Sequence, residues 1–157
     1  MKTYKSPLPE LSLKYKKGDF KKIRITNSKE ASQVIREFFD ADLIEYREEM
    51  FVLFTNRKNN TIGYMKISVG GTSGTVTDPK MIFSTALLSG AYGIILAHNH
   101  PSGETFPSKP DRAITKKIMK GAELMDMVLL DHIIITADSY YSFADEGTLN
   151  ERAINTL

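Results

Sequence analysis

His98 and His100 follow the apolar run Ile94, Ile95, Leu96 and Ala97, which has the length and composition of a buried strand. A strand points every second side chain to one face, so the two imidazoles converge. Pro101 and Gly103 then break the strand, and a polar loop leads to Ser108, a natural N-cap for a helix whose first turn holds Asp111. That return of the chain brings a carboxylate back towards the imidazoles. Two His and one Asp are three protein ligands, the number with which a catalytic zinc site leaves its fourth position to water. Plainer roles fit the same residues: a strand-end histidine can be a satisfied polar group. Ser108 with Asp111 can be a variant capping box whose acid sits at the positive helix terminus.

Taken together, His98, Asn99, His100, Pro101, Ser102 and Gly103, followed by Ser108 and Asp111, resemble the JAMM (JAB/MPN-plus) metalloprotease motif. The segment from His98 to Gly103 is similar to the RadC branch of that family. The resemblance extends over about residues 49–143, taking in Gly70, Gly71 and Thr72 before a helix, then Leu130, Asp131 and His132, then Tyr140, Tyr141, Ser142 and Phe143. It implies a cytidine-deaminase-like α-β-α fold, a single zinc ion per chain and hydrolysis of a peptide or isopeptide bond in a peptide or protein substrate. It also implies a general base, carried in the family by a Glu just before the first hairpin strand. Glu49, Met50 and Phe51 match the family's Glu-x-Phe, which makes Glu49 the base and leaves Glu48 pointing the other way by alternation. Glu104, in the loop between the ligands, ranks second because it lies outside the motif. Ser108 is implied as the donor that steadies the oxyanion of the tetrahedral intermediate. Asn99 departs from the Ser or Thr of most JAMM isopeptidases, so a ubiquitin-type substrate preference does not carry over.

RadC relatives also bear a DNA-repair label, and at full length they add an N-terminal helix-hairpin-helix module with no counterpart in this sequence. Two alternatives to a hydrolase follow: a repair-associated, nucleic-acid-binding accessory protein, or a protein-interaction module with a non-catalytic metal site. His132 is read as a core histidine hydrogen-bonded to a carboxylate, with Asp131 beside it, and stays outside the site. The string His-Asn-His also spells the name of a nuclease family, but in true members those residues are dispersed.

A chain of 157 residues is long enough for one domain with a real core. Residues 1–40 are expected to supply an arm, a strand and a helix packed on the body formed by 41–157. With no cysteine there is no disulfide and no thiolate ligand, so a transition metal must be held by His and carboxylate. The Cys-containing zinc motif of the nucleobase deaminases is excluded for the same reason. A net charge of +2 is too mild to argue nucleic-acid binding by itself. It is unevenly spread: Lys14, Lys16, Lys17, Lys21, Lys22 and Arg24 crowd together with Tyr15 and Phe20 among them. Lys109, Arg112, Lys116, Lys117 and Lys120 fall mostly on the helix beside the proposed site. No apolar segment follows the N-terminus and none approaches the roughly 18 residues of a membrane span, which points to a soluble, cytoplasmic protein.

The elements that must position these residues follow from period and punctuation. Residues 1–18 suggest an extended arm, and 22–26 alternate as a short strand. Asn27 and Glu30 open a helix of about three turns whose inner face is Ala31, Val34, Ile35, Phe38 and Phe39. Residues 48–54 and 61–69 make a hairpin across a polar turn. Asp78 and Pro79 start a helix closed by Gly90, with Ile82, Phe83, Ala86 and Leu87 inward. After the His98 strand comes a helix from Lys109 to about Met125 with Ile114, Ile118, Ala122 and Met125 on one face. A strand over 127–136, a last one over 140–143 and a weakly specified helical tail from Glu146 complete the chain. A hairpin followed by a β-α-β-α-β run predicts an α/β sandwich on a mixed sheet.

Overall fold

The computed structural model describes residues 7–9, 11–16, 21–70 and 76–149. The proposed tail helix lies mostly outside these residues, as do much of the arm, Lys17, Phe20 and Gly71. In chain order the elements are α1 (Ser28–Arg36), β1 (Glu49–Thr55), β2 (Thr61–Val69), α2 (Pro79–Ser89), β3 (Gly93–Asn99), α3 (Lys109–Leu124), β4 (Val128–Ile135) and β5 (Tyr140–Ser142). The five strands form one sheet in the order β2-β1-β3-β4-β5. Only β3 and β4 are parallel, and α3 is the crossover between them; the other neighbours are antiparallel.

Every residue of β1 and β3 is buried, as expected of central strands covered on both faces. Alternation divides them between two cores. Met50, Val52 and Phe54 of β1 with Ile94 and Leu96 of β3 pack under α2 and α3, against Ile82, Phe83, Ala86, Ile118 and Ala122. Phe51 and Leu53 with Ile95 and Ala97 pack under α1, against Ala31, Ile35, Phe39 and Ile44. The result is an α-β-α sandwich on a mixed sheet. No helix among the described residues is long and apolar enough to cross a membrane.

Caps set the helix ends. The side chains of Asn27 and Asp78 accept from backbone N–H groups in the first turns of α1 and α2, and Gly90 closes α2 in the left-handed conformation at φ 66°. Four expectations need correction. The strand over 22–26 shrinks to a bridge between Arg24 and Asn60, because the chain turns into α1 at Asn27. The helix after Asn27 stops at Arg36, whose guanidinium donates to the carbonyls of Thr136, Ala137 and Ser139. Phe38 and Phe39 lie past its end, where Phe38 stacks on Tyr64 and Phe39 meets Phe51 edge-on. Leu87 and Met125, expected inside, are exposed.

Candidate metal centre

The sheet delivers the histidines. Met50 of β1 stands opposite His98, so His98 continues the face of Ile94 and Leu96 that lies under α3. His100 follows just past the strand end, where its N–H still bonds to the Ile135 carbonyl. The loop then turns through Gly103, at φ 79°, and reaches Ser108. There a full capping box forms: the Ser108 hydroxyl accepts from the Asp111 N–H, and the Asp111 carboxylate accepts from the Ser108 N–H. The cap thus aims Asp111 back at β3.

Three ligand atoms meet at that point. His98 Nε2 lies 2.9 Å from His100 Nε2 and 3.1 Å from Asp111 Oδ1, and His100 Nε2 lies 3.4 Å from Asp111 Oδ2. Nitrogen and oxygen ligands about 2.0–2.1 Å from a tetrahedral ion stand roughly 3.3 Å from each other. The spacing therefore fits one small divalent cation. The donor set agrees. His100 Nδ1 faces the Glu104 carbonyl at 2.7 Å, and a carbonyl only accepts, so Nδ1 carries a proton and Nε2 is the nitrogen left to offer an ion its lone pair once its own proton is gone. Burial pushes the Asp111 carboxyl up, but the two histidines beside it, His100 first and then His98, together with the Ser108 hydroxyl outweigh this and hold the group ionised, well below the usual range. His100 is raised, chiefly by its hydrogen bond to Asp111 against the opposing effect of burial; the Glu104 carbonyl and the charges of Asp111 and Glu48 add to the rise.

The proposed base is not brought to this cluster. Glu49 shares the face of Phe51 and Leu53, under α1. Its carboxylate is held there by Arg47 at 2.9 Å and Lys66 at 3.3 Å, and the Lys66 ammonium lies over the Phe51 ring. Glu48 is on the other side. Its carbonyl accepts from Gly70 N–H, so the extended pairing reaches back to it, and its charge acts on His100. Glu104 touches the centre through its backbone carbonyl, while its carboxylate accepts from the Phe106 N–H. The Ser108 hydroxyl donates to Asp111 Oδ2 at 2.6 Å, so it orients the Asp111 carboxylate.

Three further residues belong here. Asn99, fully buried on the α1 face, accepts from Glu49 N–H and donates to the carbonyls of Ile44 and Arg47, which pins the segment leading into β1. His132 Nε2 lies 2.8 Å from His98 Nδ1, and His132 Nδ1 lies 2.6 Å from the Thr115 hydroxyl. The expectation that the His132 ring bonds a carboxylate is thus corrected: Asp131 accepts from the His132 backbone N–H, and the ring turns to His98. A register shift makes this happen. Ile94 pairs with Leu129 but Ile95 with Asp131, so one extra residue flips the parity of β4 and moves His132 onto the His98 face. Two adjacent polar residues inside an apolar strand were the available signal.

A model of the RadC-like JAB domain matches residues 25–148, a span that contains the sheet and the His98, His100 and Asp111 cluster. The chain belongs to the RadC-like JAB domain family. Similar proteins include a UPF0758 protein of Flavobacterium johnsoniae, 44% identical over 88% of this chain and 59% of its own length. Another, from Aquifex aeolicus, is 37% identical over 90% of this chain and 59% of its own. The UPF0758 protein YfjY of Escherichia coli is 39% identical over 66% and 64% respectively. The chain thus spans about three fifths of the length of these relatives. The RadC-like JAB match contains the whole cluster with Glu48, Thr115 and His132, whereas the basic residues from Lys14 to Arg24 precede it.

Proposed function

We propose that this RadC-like JAB domain is a zinc-dependent hydrolase of the JAMM type that cleaves a peptide or isopeptide bond in a peptide or protein substrate. The convergence of His98, His100 and Asp111 within 4.8 Å carries the reading. His98, His100 and Asp111 would hold the ion, and the chemistry it would supply is to bring the pKa of a bound water down to about 7. The residues around it do the rest. His98 and His100 present neutral nitrogens and Asp111 a fixed negative charge. Glu48, half-buried and on the metal face, is the group we assign to take the proton from the water and return it to the leaving amine. This moves the base from Glu49 to its neighbour. Ser108 steadies the oxyanion in this reading, which requires its hydroxyl to rotate away from the Asp111 carboxylate.

The test is zinc content per chain for wild type and the His100→Ala variant, followed by a screen of peptide and isopeptide substrates. About one zinc per wild-type chain, lost in the variant, supports the proposal. A folded wild type that takes up no zinc when it is supplied removes it.

A further inference from the structure

We propose that Thr115 and His132 form a relay that decides which nitrogen of His98 carries its proton, keeping His98 Nε2 bare as a donor; the inference rests on the metal-site reading above. Its direction follows from the atoms. Thr115 Oγ1 lies 2.6 Å from the Asp111 backbone oxygen. Two oxygens at that distance repel unless a proton lies between them, and only the hydroxyl has one to give. Thr115 therefore donates to the carbonyl and has only a lone pair for His132 Nδ1, 2.6 Å away. His132 must carry its proton on Nδ1.

The consequence passes along the ring. Neutral imidazole has one donor and one acceptor nitrogen, so His132 Nε2 accepts, and the proton between it and His98, 2.8 Å apart, belongs to His98 Nδ1. His98 Nε2 is then left with its lone pair towards His100 and Asp111, and without an ion the proton between the two Nε2 atoms, 2.9 Å apart, belongs to His100. Thr115, His132 and His98 are each 0% exposed, so no bulk water stands in for a missing partner. The chain also closes on itself, since it begins at the backbone of Asp111, one ligand on α3, and ends at His98, another on β3. A partner that fixes the tautomer of a liganding histidine typically changes metal affinity by about tenfold to a hundredfold when removed. His132 and Thr115 touch neither metal nor substrate; they are positioning residues.

The experiment reads tautomers and affinity separately on the full chain. Long-range proton–nitrogen correlation on protein labelled with nitrogen-15 histidine shows which ring nitrogen bears the proton, with or without zinc. Competition with a chromogenic chelator gives the zinc affinity. In metal-free wild type His132 is expected in its Nδ1–H form and His98 in its Nδ1–H form. Thr115→Val, nearly isosteric, removes the acceptor; His132 then shifts to Nε2–H and zinc affinity falls about tenfold to a hundredfold. Thr115→Ser keeps the hydroxyl and restores both readouts. An Nε2–H His132 in wild type overturns the relay without any variant. So does a Thr115→Val protein with unchanged tautomers and unchanged zinc affinity. Wild type that shows the expected tautomers yet holds no zinc leaves the relay standing and overturns the hydrolase reading alone.

Discussion

Glu48 and Glu49 are adjacent, chemically identical and pointed to opposite faces of one sheet, and that difference decides what each can do. Glu49 sits among Arg47, Lys66 and Phe51, where its charge is neutralised and its oxygens are occupied. Glu48 acts on His100. Glu48→Gln is therefore expected to lower kcat by about a hundredfold to ten-thousandfold, the range for a lost general base, with zinc content unchanged. Glu49→Gln is expected to keep most of kcat and to lower stability by about 1 kcal/mol, because both cations it releases are partly exposed and rehydrate. Steady-state rates with a cleavable peptide, beside urea denaturation of both variants, separate the two. The reverse pattern returns the base role to Glu49. Asn99 stands behind this arrangement: Asn99→Ala would leave the Glu49 N–H and the Ile44 and Arg47 carbonyls without partners. A stability loss of about 2–4 kcal/mol is expected, with zinc affinity intact because the ligands lie on the other face.

At the scale of elements, α3 does two things: its N-cap presents Asp111, and its body fixes Thr115 under His132. Its position depends on a close approach to α2. A Cβ at Gly121 would lie 2.6 Å from two atoms of the Phe83 ring, and Phe83 is itself a core residue. Gly121→Ala should therefore destabilise despite the better helix propensity of Ala, which is worth only about 1 kcal/mol. Overpacking of this kind costs about 1–3 kcal/mol, read as a lower denaturation midpoint at unchanged slope. A variant more stable than wild type would show that the two helices have room to separate.

For the molecule as a whole, stability is expected to depend on pH through Asp131 and on zinc through the triad. Asp131 is buried, and burial pushes its carboxyl up to about 6 although Ser142, Ala144 and the His132 N–H all hydrogen-bond to it. The folded state then holds a proton that the unfolded chain, with its pKa near 4, has released. This contribution is fully present below about pH 4 and is lost as pH rises through 6. A shift of about two units corresponds to roughly 3 kcal/mol. Stability measured from pH 4 to 7 should fall by about that much more in wild type than in Asp131→Asn, and parallel curves would rule Asp131 out as the cause. Zinc works through linkage: at a hundredfold excess over its Kd it should add about 2.7 kcal/mol to wild type and nothing to Asp111→Ala. Thermal melts with zinc or chelator check this, and equal shifts in both proteins would place the ion elsewhere.

Much of this was legible in the residues, because it depended on short-range rules. The His-x-His parity, the capping box at Ser108 and Asp111, the hairpin over residues 48–69 and the helix between Asp78 and Gly90 all follow from strand period, cap chemistry and turn residues within a few positions. The triad and an α/β sandwich on a mixed sheet could therefore be read from the residues, with the family resemblance adding the α-β-α layering and the chemistry. Other features depended on partners distant in sequence. Which of two adjacent acids faces the His98, His100 and Asp111 cluster was set by the register of β1 against β3 and by Lys66 from β2. The role of His132 was set by one extra residue in β4, a change in parity that the local pattern of an apolar strand does not announce. The helix after Asn27 ended early because Arg36 and Phe38 found tertiary partners. Local spacing determined the His98, His100 and Asp111 cluster; only the packed sheet decided which neighbouring side chains face it.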